Sequence, residues 1–191
     1  MTRFVLLGCL IGGFSAVPAA SQRPDPVATA VLPLPDTLRP GATVIDYEDN
    51  EVLRRGTNGI TCLTDRPGDN RLSLLCYPSA VEGYMQRDRQ LSAEGIRGNE
   101  SRAILHAEVK TGALYLPSGV LVRNVSGLLN EATGVPDSAR VWSEFLLPFA
   151  DPRALGIPEF NAGLDPWLMG AGRVDAHVMV RYRWVPWDQV E

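Results

Sequence analysis

Two cysteines, Cys62 and Cys76, bracket a turn-rich loop in the stretch GTNGITCLTDRPGDNRLSLLCYP, Gly56 to Pro78. Gly59 to Thr64 and Arg71 to Tyr77 have the composition of strands, and Asp65-Arg66-Pro67-Gly68-Asp69-Asn70 between them is dense in turn formers. A hairpin with one cysteine on each arm is the simplest structure for this segment. If the two pair, the loop is closed covalently and the rest of the chain must build around it.

Whether they pair depends on the compartment, and the N-terminus speaks to that. Met1-Thr2-Arg3 is a short positive segment, Phe4 to Ala16 is mostly apolar, and Val17-Pro18-Ala19-Ala20-Ser21 offers small residues for cleavage. This is the layout of a secretory signal peptide over residues 1–20, and it predicts a secreted or periplasmic protein. The rival reading takes Leu6-Leu7-Gly8-Cys9 as a lipoprotein box with Cys9 acylated, but it leaves a meagre apolar segment and is the less favoured. No later segment approaches the roughly 20 apolar residues of a transmembrane helix, so no spanning segment is expected.

With Cys9 removed, two cysteines remain in an oxidising setting, and pairing becomes the default. The chemical alternatives are weak. A structural zinc site needs about four ligands, and the chain offers only His106 and His177 besides the cysteines, at spacings unlike a finger. No Cys-x-x-Cys motif is present for redox work. A cysteine nucleophile needs a free thiol beside a base. A Cys62–Cys76 disulfide is therefore expected, contributing about 3 kcal/mol in the loop-entropy model. The enclosed Asp65, Asp69 and Asn70 are too few and too irregular for calcium and read as a solvated turn.

Length and charge narrow the field further. A chain of 191 residues with 45% hydrophobic content can bury one sizeable core. A net charge of −4 argues against nucleic acid as a partner. Residues 21–41 carry five prolines and read as an extended lead-in, leaving residues 42–191 as a single globular domain.

Inside that domain, Thr43 to Tyr47 and Glu51 to Arg55 read as short strands around a polar turn at Glu48-Asp49-Asn50. Val81, Tyr84, Met85, Asp88 and Leu91 follow helical spacing, with Ser79 as a cap and Gly95 as a stop. Glu100 to Lys110 alternates like a strand, yet its composition and the closing Gly112 favour a helix capped by Asn99 or Ser101. Gly119 to Val125 and Arg140 to Phe149 read as strands, with a loop over Gly127 to Asp137. Asp151-Pro152 through Gly156 has the marks of one helical turn. In VDAHVMVRYRW, strict alternation places Val174, Ala176, Val178, Val180, Tyr182 and Trp184 on one face and Asp175, His177, Met179, Arg181 and Arg183 on the other. The fold class is α+β: a mainly antiparallel sheet with two or three packing helices and one disulfide.

Catalytic signatures are scarce. No Gly-x-Ser-x-Gly, phosphate-binding loop, His-Glu-x-x-His or dinucleotide fingerprint is present. His177 is the most suggestive residue: it is a general base if oriented by Asp175, or a haem or metal ligand together with Met179. The competing reading is a histidine hydrogen-bonded beneath a covering helix. Trp142, Trp167, Trp184 and Trp187 cluster late in the chain and read as core, with Trp187 the one that could instead serve a binding surface.

Leu53-Arg54-Arg55-Gly56-Thr57-Asn58-Gly59-Ile60-Thr61-Cys62, the second cysteine Cys76 and the closing Ala176-His177-Val178-Met179 together carry a resemblance. The chain resembles, patchily from about Val44 to Tyr182, a group of uncharacterised exported bacterial proteins. Those proteins share a Gly-Thr/Ser-Asn-Gly-Trp-Thr-Cys segment, a second cysteine and a C-terminal Ala-His-x-Met strand. Ile60 stands where the group has tryptophan, and Val141 to Leu147 lacks the His-x-Met that many relatives carry there. The resemblance implies fold and compartment more than activity. The expectation is an exported binding or interaction module, its small-molecule or protein ligand at the C-terminal strand face, with no metal or cofactor. The alternatives are a small hydrolase-like or metal-dependent enzyme centred on His177 and Asp175, and a haem or metal binder through His177 and Met179.

Overall fold

The structure, a computed structural model, describes residues 25–66, 68–161, 163 and 166–190. The expected signal segment, residues 1–20, lies outside them. The cysteine hairpin lies within the sheet: Ile60–Leu63 (β3) and Arg71–Pro78 (β4) pair antiparallel with Cys62 directly opposite Cys76, and the two form a disulfide. Thr43–Ile45 (β1) adds parallel to β3, and Val52–Arg54 (β2) turns back on β1. On the other side come Val120–Leu128 (β5), Ser138–Leu146 (β6), His177–Pro186 (β8) and finally Trp167–Met169 (β7). The order is β2-β1-β3-β4-β5-β6-β8-β7, antiparallel throughout except for β1 and β3.

Successive side chains in β4 serve opposite layers, as a period of two requires. Leu75 and Tyr77 point to one face, where Val81, Tyr84, Leu91 and Leu105 complete a core with Ile45, Leu63 and Val122. These contacts seat the two long helices, Glu82–Ala93 (α2) and Asn99–Lys110 (α3). Leu91 and Leu105 are each 1% exposed, and truncating either to alanine costs about 2–5 kcal/mol. Ser79 does not cap α2: its hydroxyl pairs with Thr61, and a single 3-10 turn, Ser79–Val81, leads in instead. α3 likewise starts without a side-chain cap, from Gly98 at positive φ.

A buried polar cluster pins α2 to the sheet. Arg89, 3% exposed, donates to Glu82 Oε1 at 2.6 Å and to Asn50 Oδ1 at 2.6 Å. Burial and the Glu82 carboxylate hold the Tyr77 hydroxyl far above its ordinary range, so it stays protonated and donates to Glu82.

Residues 25–41 are not the extended lead-in that their prolines suggested. Asp25 caps a short helix, Pro26–Ala30 (α1), and Ala30, Val31 and Leu34 are buried against Val44, Cys62 and Cys76. Arg39 then ties this segment to the C-terminus by donating to the carbonyl of Val190. Proline forbids neither burial nor the first helical turn, and α1 is too short to show a periodicity. The rest of this second layer is Leu72, Leu74, Val125, Ala139, Val185, Trp187 and Val190. Trp187 therefore belongs to the core, at 9% exposure.

Strand β8 departs from strict alternation. The register steps from Ser143 opposite Arg181 to Glu144 opposite Met179, leaving Val180 as an extra residue. Such a bulge exchanges the faces of everything beyond it. His177 and Met179 thus share a face with Trp184, which pairs with Arg140, and Val185 turns to the opposite core. Val180 and Trp184, expected on an inward face, are 47% and 60% exposed. Asp151 and Gly156 bracket the helical turn Pro152–Leu155 (α4) as expected. Among the described residues no helix is long and apolar enough to cross a membrane.

Candidate functional site on the open half of the sheet

Further along the helix-covered side the sheet carries polar and aromatic side chains whose burial falls off towards β8: Asn124 and Ser126 are buried, Arg140 and Trp142 half-buried and Trp184 exposed. Beyond Val120 and Val122 the same side of β5 presents Asn124 and Ser126, opposite Trp142 and Arg140 of β6. Arg140 in turn stands opposite Trp184 of β8. Its guanidinium carbon lies 5.5 Å from the Trp142 ring centroid and 5.7 Å from that of Trp184, so the cation sits between two indoles. Asn124 is 8% exposed, and its Nδ2 has no hydrogen-bond partner among the described residues. An unsatisfied buried amide is costly, on the order of 1–3 kcal/mol, which marks this spot as other than ordinary core.

His177 stands at the boundary between the covered and open halves. Its Nδ1 is 2.7 Å from the carbonyl oxygen of Asp175; a carbonyl only accepts, so Nδ1 carries the proton. Nε2 lies 3.5 Å from Glu144 Oε2, which also accepts from Trp142 Nε1 at 3.0 Å. The His177 and Glu144 side chains are 16% and 14% exposed. The carboxylate beside the imidazole is thus that of Glu144. The carboxylate of Asp175 is turned onto Arg173, with its Oδ1 2.9 Å from Nε, and towards Arg102, with its Oδ2 3.5 Å from Nε.

The expected Asp175–His177 pair is therefore a backbone contact and not a charge pair. The i±2 spacing brings side chains together only within a strand, and β8 begins at His177, leaving Asp175 in the preceding turn. Met179 is on the face of His177 but 3% exposed, packed opposite Glu144 and Trp167. His106 lies on α3, edge-on to Phe149 at 5.0 Å between centroids. In the cysteine loop, Asp65 and Asp69 accept from the backbone N–H groups of Ser73 and Arg71 and so shape the turn. Among the described residues no group of three or more His, Cys, Asp and Glu side chains is placed to hold a metal ion.

The Trp142–Arg140–Trp184 stack and Glu144 escaped the sequence reading. Trp142 and Arg140 lie at alternate positions of one strand, a signal that was present, but Trp184 joins them only through the bulge. Compared with known proteins, the chain matches no protein-family model, no curated protein and no solved structure.

Proposed function

We propose that this protein is an exported binding module that takes its ligand on the open sheet face around Trp184, Arg140 and Trp142. The observation that carries the reading is a large indole, 60% exposed, whose ring lies 5.7 Å from a guanidinium that also approaches the Trp142 ring at 5.5 Å. Exposed aromatic surface on a rigid sheet is unfavourable unless something covers it, and aromatic–arginine surfaces are typical of recognition sites. The matching ligand has a flat apolar face to stack on Trp184 and polar groups for the neighbouring side chains. Export is supported by the apolar N-terminal segment with its small-residue cleavage site and by a disulfide, which belongs to oxidising compartments. The resemblance to exported bacterial proteins agrees with that placement.

Intrinsic tryptophan fluorescence, titrated with defined oligosaccharides and aromatic small molecules, tests the reading. A saturable change that Trp184→Ala abolishes without altering circular dichroism supports it. No change with any compound, or a change that Trp184→Ala leaves intact, would remove this face from consideration.

A second reading has its own observation: the 3.5 Å approach of His177 Nε2 to Glu144. With Nδ1 committed as a donor, Nε2 is the nitrogen left to take a proton, and Glu144 is the carboxylate that would stabilise the resulting cation. Under this enzymatic reading, Glu144→Gln abolishes any hydrolytic activity found while leaving ligand stacking on Trp184 unchanged; activity that survives the substitution rejects it.

A further inference from the structure

Away from the sheet face, one stripe of α3 looks across a cleft at the turn that leads into β8. Asn99, Arg102, Ala103 and His106 recur at three- and four-residue spacing along the helix, and Arg173, Val174 and Asp175 form the facing wall. The cleft has a volume of about 410 Å³, within the range of small-molecule sites.

Both of its arginines are already held in place. Arg173 donates through Nη2 to Asp175 Oδ2 at 3.2 Å, and its Nε lies 2.9 Å from Oδ1 as an ion pair without hydrogen-bond alignment. It also lies against the backbone of Gly170, where a Cβ would come within 2.6 Å of Nη2, so a larger residue would displace the guanidinium. Arg102 donates through Nη1 to Asn99 Oδ1 at 2.6 Å and approaches Asp175 through Nε at 3.5 Å. Two cations thus share one carboxylate. Neither Arg173 Nη1 nor Arg102 Nη2 donates a hydrogen bond to another described residue, and the two side chains are 45% and 40% exposed. Asp88 of α2 also acts on Arg102, but it is not part of the cleft wall and is shared with Arg66 and Arg89.

We infer that this cleft binds a small organic carboxylate. Its carboxylate lies in the plane of the unspent guanidinium edges, and its apolar part covers Ala103 and the His106 ring. The chemistry follows from the count and the shape. Two guanidiniums against one aspartate leave a single positive charge, and a planar carboxylate matches the guanidinium fork better than a tetrahedral anion does. Because Arg102 and Arg173 are positioned before the ligand arrives, little ordering entropy is lost on binding. The site is separate from the Trp184 face, so the two readings stand or fall independently.

Benzoate, acetate and inorganic phosphate titrated into ¹⁵N-labelled protein provide the test, followed at the arginine Nε–H and His106 resonances. The expected result is a saturable shift with benzoate at Arg102, Arg173 and His106, weakened roughly tenfold or more by Arg173→Gln and by Arg102→Gln, as loss of a charged hydrogen bond requires. Trp184→Ala should leave this binding unchanged. Because both arginines are well exposed, the glutamine variants should retain the wild-type circular dichroism, and having two of them guards against a folding defect in one. Shifts that do not saturate, binding unaffected by both glutamine variants, or binding of phosphate but not of benzoate would each overturn the inference.

Discussion

Glu144 Oε2 stands 3.5 Å from His177 Nε2 across the β6–β8 pair, while Asp175, two residues from the histidine, offers it only a backbone carbonyl. The two carboxylates have separate tasks. Glu144 bridges the imidazole and the Trp142 indole N–H at the edge of the open face, whereas Asp175 holds the arginines of the α3 cleft.

That division predicts opposite outcomes for two conservative substitutions. Glu144→Gln should move the ring ¹⁵N resonances of His177, and Asp175→Asn should leave them nearly in place, because the backbone carbonyl persists. His177→Ala should lower stability by about 1–3 kcal/mol in denaturant unfolding, since it leaves the partly buried Asp175 carbonyl without its hydrogen bond. A large imidazole shift in Asp175→Asn, with none in Glu144→Gln, would restore Asp175 as the orienting group.

The disulfide should be structural and inert. Peptide mapping under non-reducing conditions should recover Cys62 linked to Cys76, and replacing both by serine should cost about 3 kcal/mol. The cystine is buried, at 0% and 1% exposure, beneath α1. Its loss should therefore loosen residues 25–41 first, which hydrogen exchange would detect as early deprotection of Ala30 and Val31. Free thiols at both positions in the oxidised protein would contradict the pairing.

Asp88 predicts a pH dependence. Burial raises its carboxyl above the ordinary range, with Arg66 and Arg89 opposing in part. A carboxyl with a raised folded pKa binds its proton more tightly in the native state, so its contribution is fully favourable below the unfolded value of about 3.8 and is lost as pH rises through the folded value. Asp88→Asn, which cannot ionise, should therefore be more stable than the parent at neutral pH. That advantage should shrink as pH falls into the carboxylate range. Parallel urea titrations across pH 3–8 would show it; an advantage that grows on acidification would mean that the arginines, not burial, dominate at Asp88.

Local chemistry made much of the fold legible. The cysteine hairpin follows from its turn residues, α2 from three-and-four spacing, α3 from helix-forming composition and a closing glycine, and the Asp151–Gly156 turn from capping, all of which act over a few neighbours. Gly56 is needed for a tertiary reason: a Cβ there would lie 2.3 Å from the backbone of Gly41, Ala42 and Thr43. Gly59 acts locally through positive φ, whereas Asn58 both accepts locally from Ile60 N–H and donates to the Leu38 carbonyl 20 residues back.

The α+β class, the paired cysteines and most strand and helix positions are legible in the residues alone, because each rests on short-range preference or on a periodic apolar pattern. The packing of residues 25–41, the approach of Glu144 rather than Asp175 to His177, and the meeting of Trp184 with Arg140 and Trp142 all depend on long-range contacts. The last of these turns on one residue. An extra Val180 carries no compositional mark, since a bulge exists only relative to the register of the partner strand, yet it exchanges the two faces of everything that follows.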